Sequence, residues 1–361
     1  MAGFQGIAWA PAQLHHVLAD GTTEMLAADA GTFAVSRSVH YGLFLAFEGI
    51  RFFVRERGGR PEAVFLNLDH NLERFREGIA FNLSDEQARL VPTTDAIRGL
   101  IERFLSDPSI RGFIDDMART RAQGYLRPFT VDHAQSIGVS FPSNPVIRMV
   151  AGRYDSYLGE PFHGVALPNL VRAVGVNGTG RLKLSANYLL SVKAIQLARR
   201  IRPDAAAALF LDDRPYEPLL TRTVTEWDSS CCLIALADGT VIKIPEGPLI
   251  LPSVTIQGLT RLLRADGISV EERQITYGEL VDRVRDDGIV TVASVGTAGI
   301  LNRCSSLLLC DGEHAPLATL TSQSDHPLFE ALGRARTAYW GMYRGEADVP
   351  EGLTLEAMPL A

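Results

Sequence analysis

Lys183 lies in the run RLKLSANYLL (181–190), between Leu182 and Leu184. Of the 35 lysines and arginines in this 361-residue chain, it is one of only three lysines, with Lys193 and Lys243. A guanidinium supplies charge but no usable nucleophile. An amine partly desolvated by two leucines loses proton affinity and can condense with a carbonyl to a Schiff base. Local features alone favour a partly buried lysine that snorkels to solvent. The scarcity of lysine weights the position toward chemistry.

The composition narrows the partners. A net charge of −7 argues against a general nucleic-acid surface but leaves room for a local cationic pocket holding a small anion. With 46% hydrophobic and 21% charged residues, the chain reads as an ordinary soluble globular protein long enough for two substantial cores. The spacing of Cys231, Cys232, Cys304 and Cys310 suggests neither a disulfide framework nor a zinc site. His15-His16 lacks a partner cluster and reads as a solvated pair, so no metal is expected. The first residues, MAGFQGIAWAPAQLHH, lack a signal-peptide pattern, and no run approaches the ~20 apolar residues of a membrane span. The expected location is cytoplasmic, with no membrane partner.

The elements that must position Lys183 can be read from periodicity. AVFLNL (63–68) reads as a strand that turns into the helical DHNLERFREGIAF. Ser84 and Gln87 form a candidate capping box, and TTDAIRGLIERFL (93–105) is an amphipathic helix. YLRPFTV (125–131) is a strand interrupted by Pro128, expected at an edge or near a site. GRYDSYLGEPFHGVA (152–166) reads as a connection between domains. Beyond it follow a helix in ANYLLSVKAIQLARR, a strand in AAALFLDD, a hairpin in CCLIALADGTVIKI and a helix in TIQGLTRLLRADG. IVTVASVGTAGI is a strand and turn, and DHPLFEALGRARTAYWGMY closes as a helix. The pattern predicts an α/β chain of mixed α+β character, with an N-terminal domain over 1–153, a connection over 154–166 and a larger domain over 167–361.

VRAVGVNGTGRLKLSANY (171–188) resembles the segment around the cofactor lysine of branched-chain aminotransferases, class IV enzymes of fold-type IV that use pyridoxal phosphate. Further similarities follow in order over roughly residues 35–345. HYG (40–42) with FEGIR (47–51), NLERF (71–75), YLRP (125–128), SYLG (156–159), VTEW (224–227), LPSVT (251–255) and GTA (296–298) each resemble a motif of that family.

The resemblance implies two domains with the cofactor cleft between them, a homodimer, and transamination between an amino acid and 2-oxoglutarate through a Schiff base on Lys183. Glu226 would face the pyridine nitrogen, and Tyr188 would hydrogen-bond the ring 3-oxygen. Arg74, the backbone of Val254 and Thr255, and the Thr297 hydroxyl would hold the phosphate. The backbone at Thr297 and Ala298 would meet a substrate carboxylate. Tyr41, Phe47, Tyr125, Arg127 and Tyr157 would line the substrate pocket, with Arg127 suited to a second carboxylate. Alone, each has a simpler reading: Glu226 as a strand-end carboxylate, Arg74 on an exposed helix face with Glu73, Arg76 and Glu77, and Tyr188 as core. Thr255 alone reads as an N-cap, Thr297 as turn chemistry and Arg127 as a structural arginine.

Four departures from the family's pattern stand out. One extra residue lies between Tyr41 and Phe47. Trp227 and Asp228 follow the cofactor glutamate, where a bulky indole and an extra carboxylate would alter packing or charge. Ser253 replaces a glycine, and Ser185-Ala186 replaces Gly-Gly. These departures fit a branched-chain, other hydrophobic or unusual L-amino acid as donor. A pyridoxal-phosphate lyase or a D-amino acid aminotransferase on the same fold is the alternative.

Overall fold

Two alternations of strand and helix organise the chain, and the computed structural model describes residues 4–157, 161–171 and 178–361 of it. Contacts divide the chain into two units. One comprises Phe4–Asp155, Leu182–Ala186 and Gly352–Ala361; the other comprises Ser156–Arg181 and Asn187–Glu351. Lys183 thus packs with the first unit although it follows the first part of the second in sequence.

In the first unit an antiparallel sheet runs Leu355–Pro359, Arg60–Leu66, Ile50–Arg57, Gln123–Asp132, Pro145–Tyr154, Ala12–Val17 and Thr23–Ala27. The helix Leu68–Phe81 follows its strand directly, and Thr94–Leu105 starts at an N-cap on Thr93. Their apolar faces, including Leu72, Phe75, Ile79, Ile97, Ile101 and Phe104, share one core with Phe52, Phe65, Leu126 and Met149. The expected capping box forms between Ser84 and Gln87, but it opens a 3-10 turn rather than an α-helix.

The edge alternative for the Pro128 strand and the solvated histidine pair both fail here for physical reasons. The strand carrying Pro128 is central, not at an edge, with Pro128 paired to Met149 on one side. Its carbonyl accepts from the Glu48 N–H at 2.9 Å on the other side. A residue's N–H and C=O point the same way in an antiparallel strand, so the missing donor falls where only the short segment at Phe47–Glu48 lies alongside. His15 and His16 are not a solvated pair. They alternate along Ala12–Val17, so His15 is buried and receives Arg148 Nε at 3.3 Å, while His16 Nδ1 meets Thr23 Oγ1 at 2.8 Å.

The second unit has two five-stranded sheets among the described residues. The first runs Val224–Trp227, Ala205–Leu211, Phe162–Ala166, Cys304–Cys310 and Pro316–Thr321, with Phe162–Ala166 parallel to both neighbours. The second runs Val270–Glu272, Val241–Lys243, Cys231–Leu236, Ile289–Gly296 and Ile300–Asn302. The predicted hairpin is present, with Leu233 opposite Lys243. Helices Leu189–Ile201, Val254–Ala265 and Pro327–Arg344 lie where their periodicity places them, and a further helix spans Tyr277–Arg285.

Asp212 fixes the entry to Val224–Trp227. It is buried just after Ala205–Leu211 and receives the Thr223 N–H at 2.9 Å and Arg222 Nε at 3.1 Å. Burial pushes its carboxyl up, but the Thr223 N–H and the Arg214 and Arg222 guanidiniums outweigh this and hold it at about 2, below 3.8. A depressed carboxylate contributes stability that is present above its unfolded value and is lost as the pH falls through the folded one. Asp212→Asn, which strands the buried Arg222, is expected to cost about 3 kcal/mol at pH 7. In urea unfolding the gap between variant and wild type narrows by about 1 kcal/mol on going to pH ~3. A gap that stays constant over that range contradicts the assignment.

Candidate active site

Backbone pairing sets Lys183 in place. The Phe47 N–H donates to the Lys183 carbonyl at 3.0 Å, and the Ser185 N–H to the Leu45 carbonyl at 3.0 Å. Ala46 and Leu184 form the bridge between them. Leu182 and Leu184 enter the core, and the turn between them leaves the half-buried Lys183 directed away from it. Its Nζ lies 5.2 Å from the centre of the Phe47 ring.

Glu48 follows Phe47 and is fully buried. Its Oε2 accepts Arg74 Nε at 2.8 Å, and its Oε1 accepts Arg74 Nη2 at 2.6 Å and its neighbour's Gly49 N–H at 2.7 Å. Burial pushes the Glu48 carboxyl up, but Arg74 and then Lys183 pull it further down, so that it sits below the usual carboxylate range. Arg74 is therefore not on an exposed helix face. The surface pair of that helix is Arg76 with Glu73, at 2.8 Å.

Three of the expected pocket residues join this cluster. Arg127 Nη2 donates to the Tyr125 hydroxyl at 2.5 Å. The Arg127 guanidinium lies over the rings of Phe47 and Tyr125, at 4.6 and 5.0 Å from their centres. Its Nε is buried without a hydrogen-bond partner among the described residues. Gly49 admits the Tyr125 hydroxyl, since a methyl group there would sit 2.1 Å from it. Tyr41 stands apart, 49% exposed at the end of the short helix Arg37–Tyr41. The run from Tyr41 to Phe47 passes through Phe44, buried at a left-handed φ of 53°. The side chain of Tyr157 lies outside the described residues.

In the second unit Glu226 is buried on Val224–Trp227, with Cys231 Sγ 4.0 Å from Oε2. Trp227 turns to the opposite face, as the strand period requires. Its indole packs against Phe162 and over Gly164, and Nε1 donates to the Ala293 carbonyl at 3.3 Å. Asp228 is buried and accepts the Ala208 N–H at 2.9 Å. Both residues thus have partners within the second unit. Tyr188 is half-buried and caps Leu189–Ile201, while Asn187 is fully buried and paired with Thr179. Val254 and Thr255 open the helix Val254–Ala265, and the N-cap is Ser253, whose hydroxyl accepts the Ile256 N–H at 3.2 Å. Thr297 and Ala298 occupy the half-buried turn between Ile289–Gly296 and Ile300–Asn302.

Sequence reasoning missed two residues of this arrangement. Glu48 was legible only as part of FEGIR, because its partner lies on another element. Ser253 was visible as a serine just before an apolar periodic run, the ordinary signal of an N-cap.

No family model matches the chain. It is 25% identical over 279 residues to the branched-chain-amino-acid aminotransferase 2 of Bacillus subtilis (strain 168), covering 75% of this chain and 70% of the relative. It is 27% identical over 270 residues to the chloroplastic branched-chain-amino-acid aminotransferase 5 of Arabidopsis thaliana, covering 68% of this chain and 60% of that one. The branched-chain amino acid aminotransferase from Escherichia coli superposes with a TM-score of 0.67 at 20% identity. That match covers 96% of this chain and 98% of the other. A branched-chain amino acid aminotransferase solved in complex with N-(5'-phosphopyridoxyl)-L-glutamate superposes with the same TM-score of 0.67. The chain has the fold of these fold-type IV enzymes and resembles branched-chain aminotransferases in sequence.

The Ser253 cap is open to measurement. Ser253→Ala is expected to lower stability by about 1 kcal/mol and Ser253→Gly by only a few tenths, both read from urea midpoints. Equal losses in the two variants contradict the cap.

Proposed function

We propose that this chain is a pyridoxal-phosphate-dependent aminotransferase that passes the amino group of a branched-chain or other hydrophobic or unusual L-amino acid to 2-oxoglutarate. The observation that supports this reading is the placement of the Lys183 amine, whose segment is strapped by backbone pairing to Leu45–Phe47 and whose Nζ lies beside the Phe47 ring. The donor set suits the cofactor by type. It comprises an amine, a buried carboxylate on Glu226, a guanidinium on Arg74 and a capped helix start at Ser253–Thr255. The names of the relatives support the same reading.

Pyridoxal phosphate, when bound, supplies an aldehyde and an electron-withdrawing ring. Lys183 Nζ would provide the amine that anchors it and would carry the proton from the substrate Cα. The Glu226 carboxylate would keep the ring nitrogen protonated, and the Tyr188 hydroxyl would serve the ring 3-oxygen. Arg74, the Val254 and Thr255 N–H groups and the Thr297 hydroxyl bind phosphate. Backbone at Thr297 and Ala298 receives the substrate carboxylate, while Tyr41, Phe47, Tyr125 and Tyr157 line the pocket. Arg127, whose buried Nε has no hydrogen-bond partner among the described residues, binds the second carboxylate of glutamate or 2-oxoglutarate.

A homodimer in the cytoplasm completes the proposal. Val35, Val39, Ile137, Val139 and Phe141 are exposed apolar side chains on the short helix Arg37–Tyr41 and the loops beside it, which are joined by the Ser136 N–H to the Val35 carbonyl at 3.1 Å.

The test starts from colour. Purified protein is expected to absorb at roughly 410–430 nm through a cofactor linked to a lysine. The band should be lost in Lys183→Ala and kept in Lys193→Ala, where the lysine is exposed on a helix surface. Cofactor still attached to Lys183→Ala after borohydride reduction sinks the assignment. A panel of amino donors with 2-oxoglutarate is expected to yield glutamate. Pyruvate without glutamate would instead support a lyase.

A further inference from the structure

We propose, resting on the cofactor reading above, that Asn302 is a positioning residue: its side-chain amide seats the turn at residues 297–299 and so sets how that turn meets the phosphate and carboxylate assigned to it. The turn joins Ile289–Gly296 to Ile300–Asn302. Gly299 in it is buried and does not have a left-handed φ, so glycine is needed there for space rather than for backbone freedom. The space belongs to Asn302. A methyl group on Gly299 would sit 2.1 Å from Asn302 Nδ2 and 3.2 Å from its Cγ. Turning the amide over only exchanges nitrogen for oxygen at that contact. Asn302 is 2% exposed, so moving it aside displaces other buried atoms.

The other end of the turn is seated in the same way. A methyl group on Gly296 would sit 3.3 Å from Ser230 Cβ, and the Ser230 and Ser294 hydroxyls are 2.7 Å apart. Ser294 lies opposite Asn302 in the strand pair, and cross-strand partners share a face of the sheet. Ser230, Ser294 and Asn302 therefore form one polar row under the turn. Ser230 also closes the bend after Glu226, its carbonyl accepting the Trp227 N–H at 2.8 Å. The segments that the reading above assigns to the ring nitrogen and to the phosphate thus rest on one row.

Two features here are costly for stability alone. Asn302 Oδ1 is buried without a hydrogen-bond partner among the described residues, and an orphaned buried acceptor is destabilising. Ile300, fully buried, holds a left-handed φ of 61°, which β-branched residues avoid. Such costs gather where a backbone is held in one shape for a ligand. A turn fixed before binding needs no ordering when the anion arrives.

The contact lends itself to a cycle of substitutions. Gly299→Ala drives the added methyl against the Asn302 amide. It is expected to weaken pyridoxal phosphate binding to the full-length protein about tenfold in equilibrium dialysis, and to lower the urea midpoint. Asn302→Ala makes room, so the double variant should recover most of the affinity and the midpoint lost in Gly299→Ala. Asn302→Ala alone removes an amide whose oxygen is unpaired. Its midpoint should stay close to wild type while its affinity falls about fivefold. A residue serving only the fold would lose midpoint and affinity together. Strictly additive losses in the double variant overturn the inference, as does an unchanged affinity in Asn302→Ala. If Gly299→Ala does not fold, the affinity of Asn302→Ala decides alone. Wild-type protein that binds no pyridoxal phosphate, with urea midpoints that still show the recovery, defeats the cofactor reading and leaves the seating of the turn standing.

Discussion

The backbone ladder between Leu45–Phe47 and Lys183–Ser185 is the constraint on which the first unit's chemistry depends. Two hydrogen bonds of 3.0 Å tie a short segment into a unit whose other residues lie far away in sequence. Closing so long a loop costs entropy, though the cost grows only slowly with length. Leu182 and Leu184, both buried, offset it by entering the main core. The Leu184 N–H donates to the Leu182 carbonyl at 3.1 Å, so the chain turns at Lys183, and burial of the two leucines leaves the other side for the lysine. The neighbours' hydrophobicity and the backbone thus direct the side chain that carries the amine.

Three buried carboxylates share one arrangement. Glu48 pairs with Arg74, Asp212 with Arg222 and Asp132 with Arg37, and each of these carboxylates is at most 4% exposed. In each case the cation is a guanidinium. Arginine's planar fork can satisfy a carboxylate and nearby carbonyls together, as Arg222 does with Asp212 and the Pro168 carbonyl at 2.6 Å. This accounts for the chain's bias toward arginine and makes its lysines informative. Lys243 is the buried counterexample. It takes Glu272 at 3.1 Å and Glu246 at 3.8 Å, so its role is an ion pair. Lys193 is exposed on Leu189–Ile201.

What was legible in the sequence was local. The helix starts at Thr93 and Ser84, the Cys231–Lys243 hairpin and the Gly296–Ala298 turn are written in residues a few positions apart. The pairing of Glu48 with Arg74 is not, because it joins a strand end to a helix face across many intervening residues. The direction of Trp227 was hidden for a similar reason. Strand period says that Trp227 and Glu226 face opposite ways, but not which of them meets Gly164. Pro128 misled because the rule against proline in central strands concerns a missing hydrogen bond, and here that bond falls where little strand runs alongside. His15 misled because a histidine pair on a strand divides between two faces.

The departures from the family's pattern divide by where their side chains go. Ser253 caps a helix, Trp227 fills space over Gly164, and Asp228 accepts a backbone N–H in the sheet. Those three are accounted for by contacts within the fold, so their presence says little about what the site accepts. The run from Tyr41 to Phe47 is different. It carries the extra residue, contains the left-handed Phe44, and leaves Tyr41 exposed while Phe47 lies under Arg127 and close to Lys183. A non-glycine residue in that backbone region is held there by its surroundings, in this case by burial of its ring and by Thr130 Oγ1 donating to its carbonyl at 2.8 Å. Phe44 stands midway along the segment and Phe47 at its far end meets the lysine, so the backbone held at Phe44 helps to set where Phe47 stands.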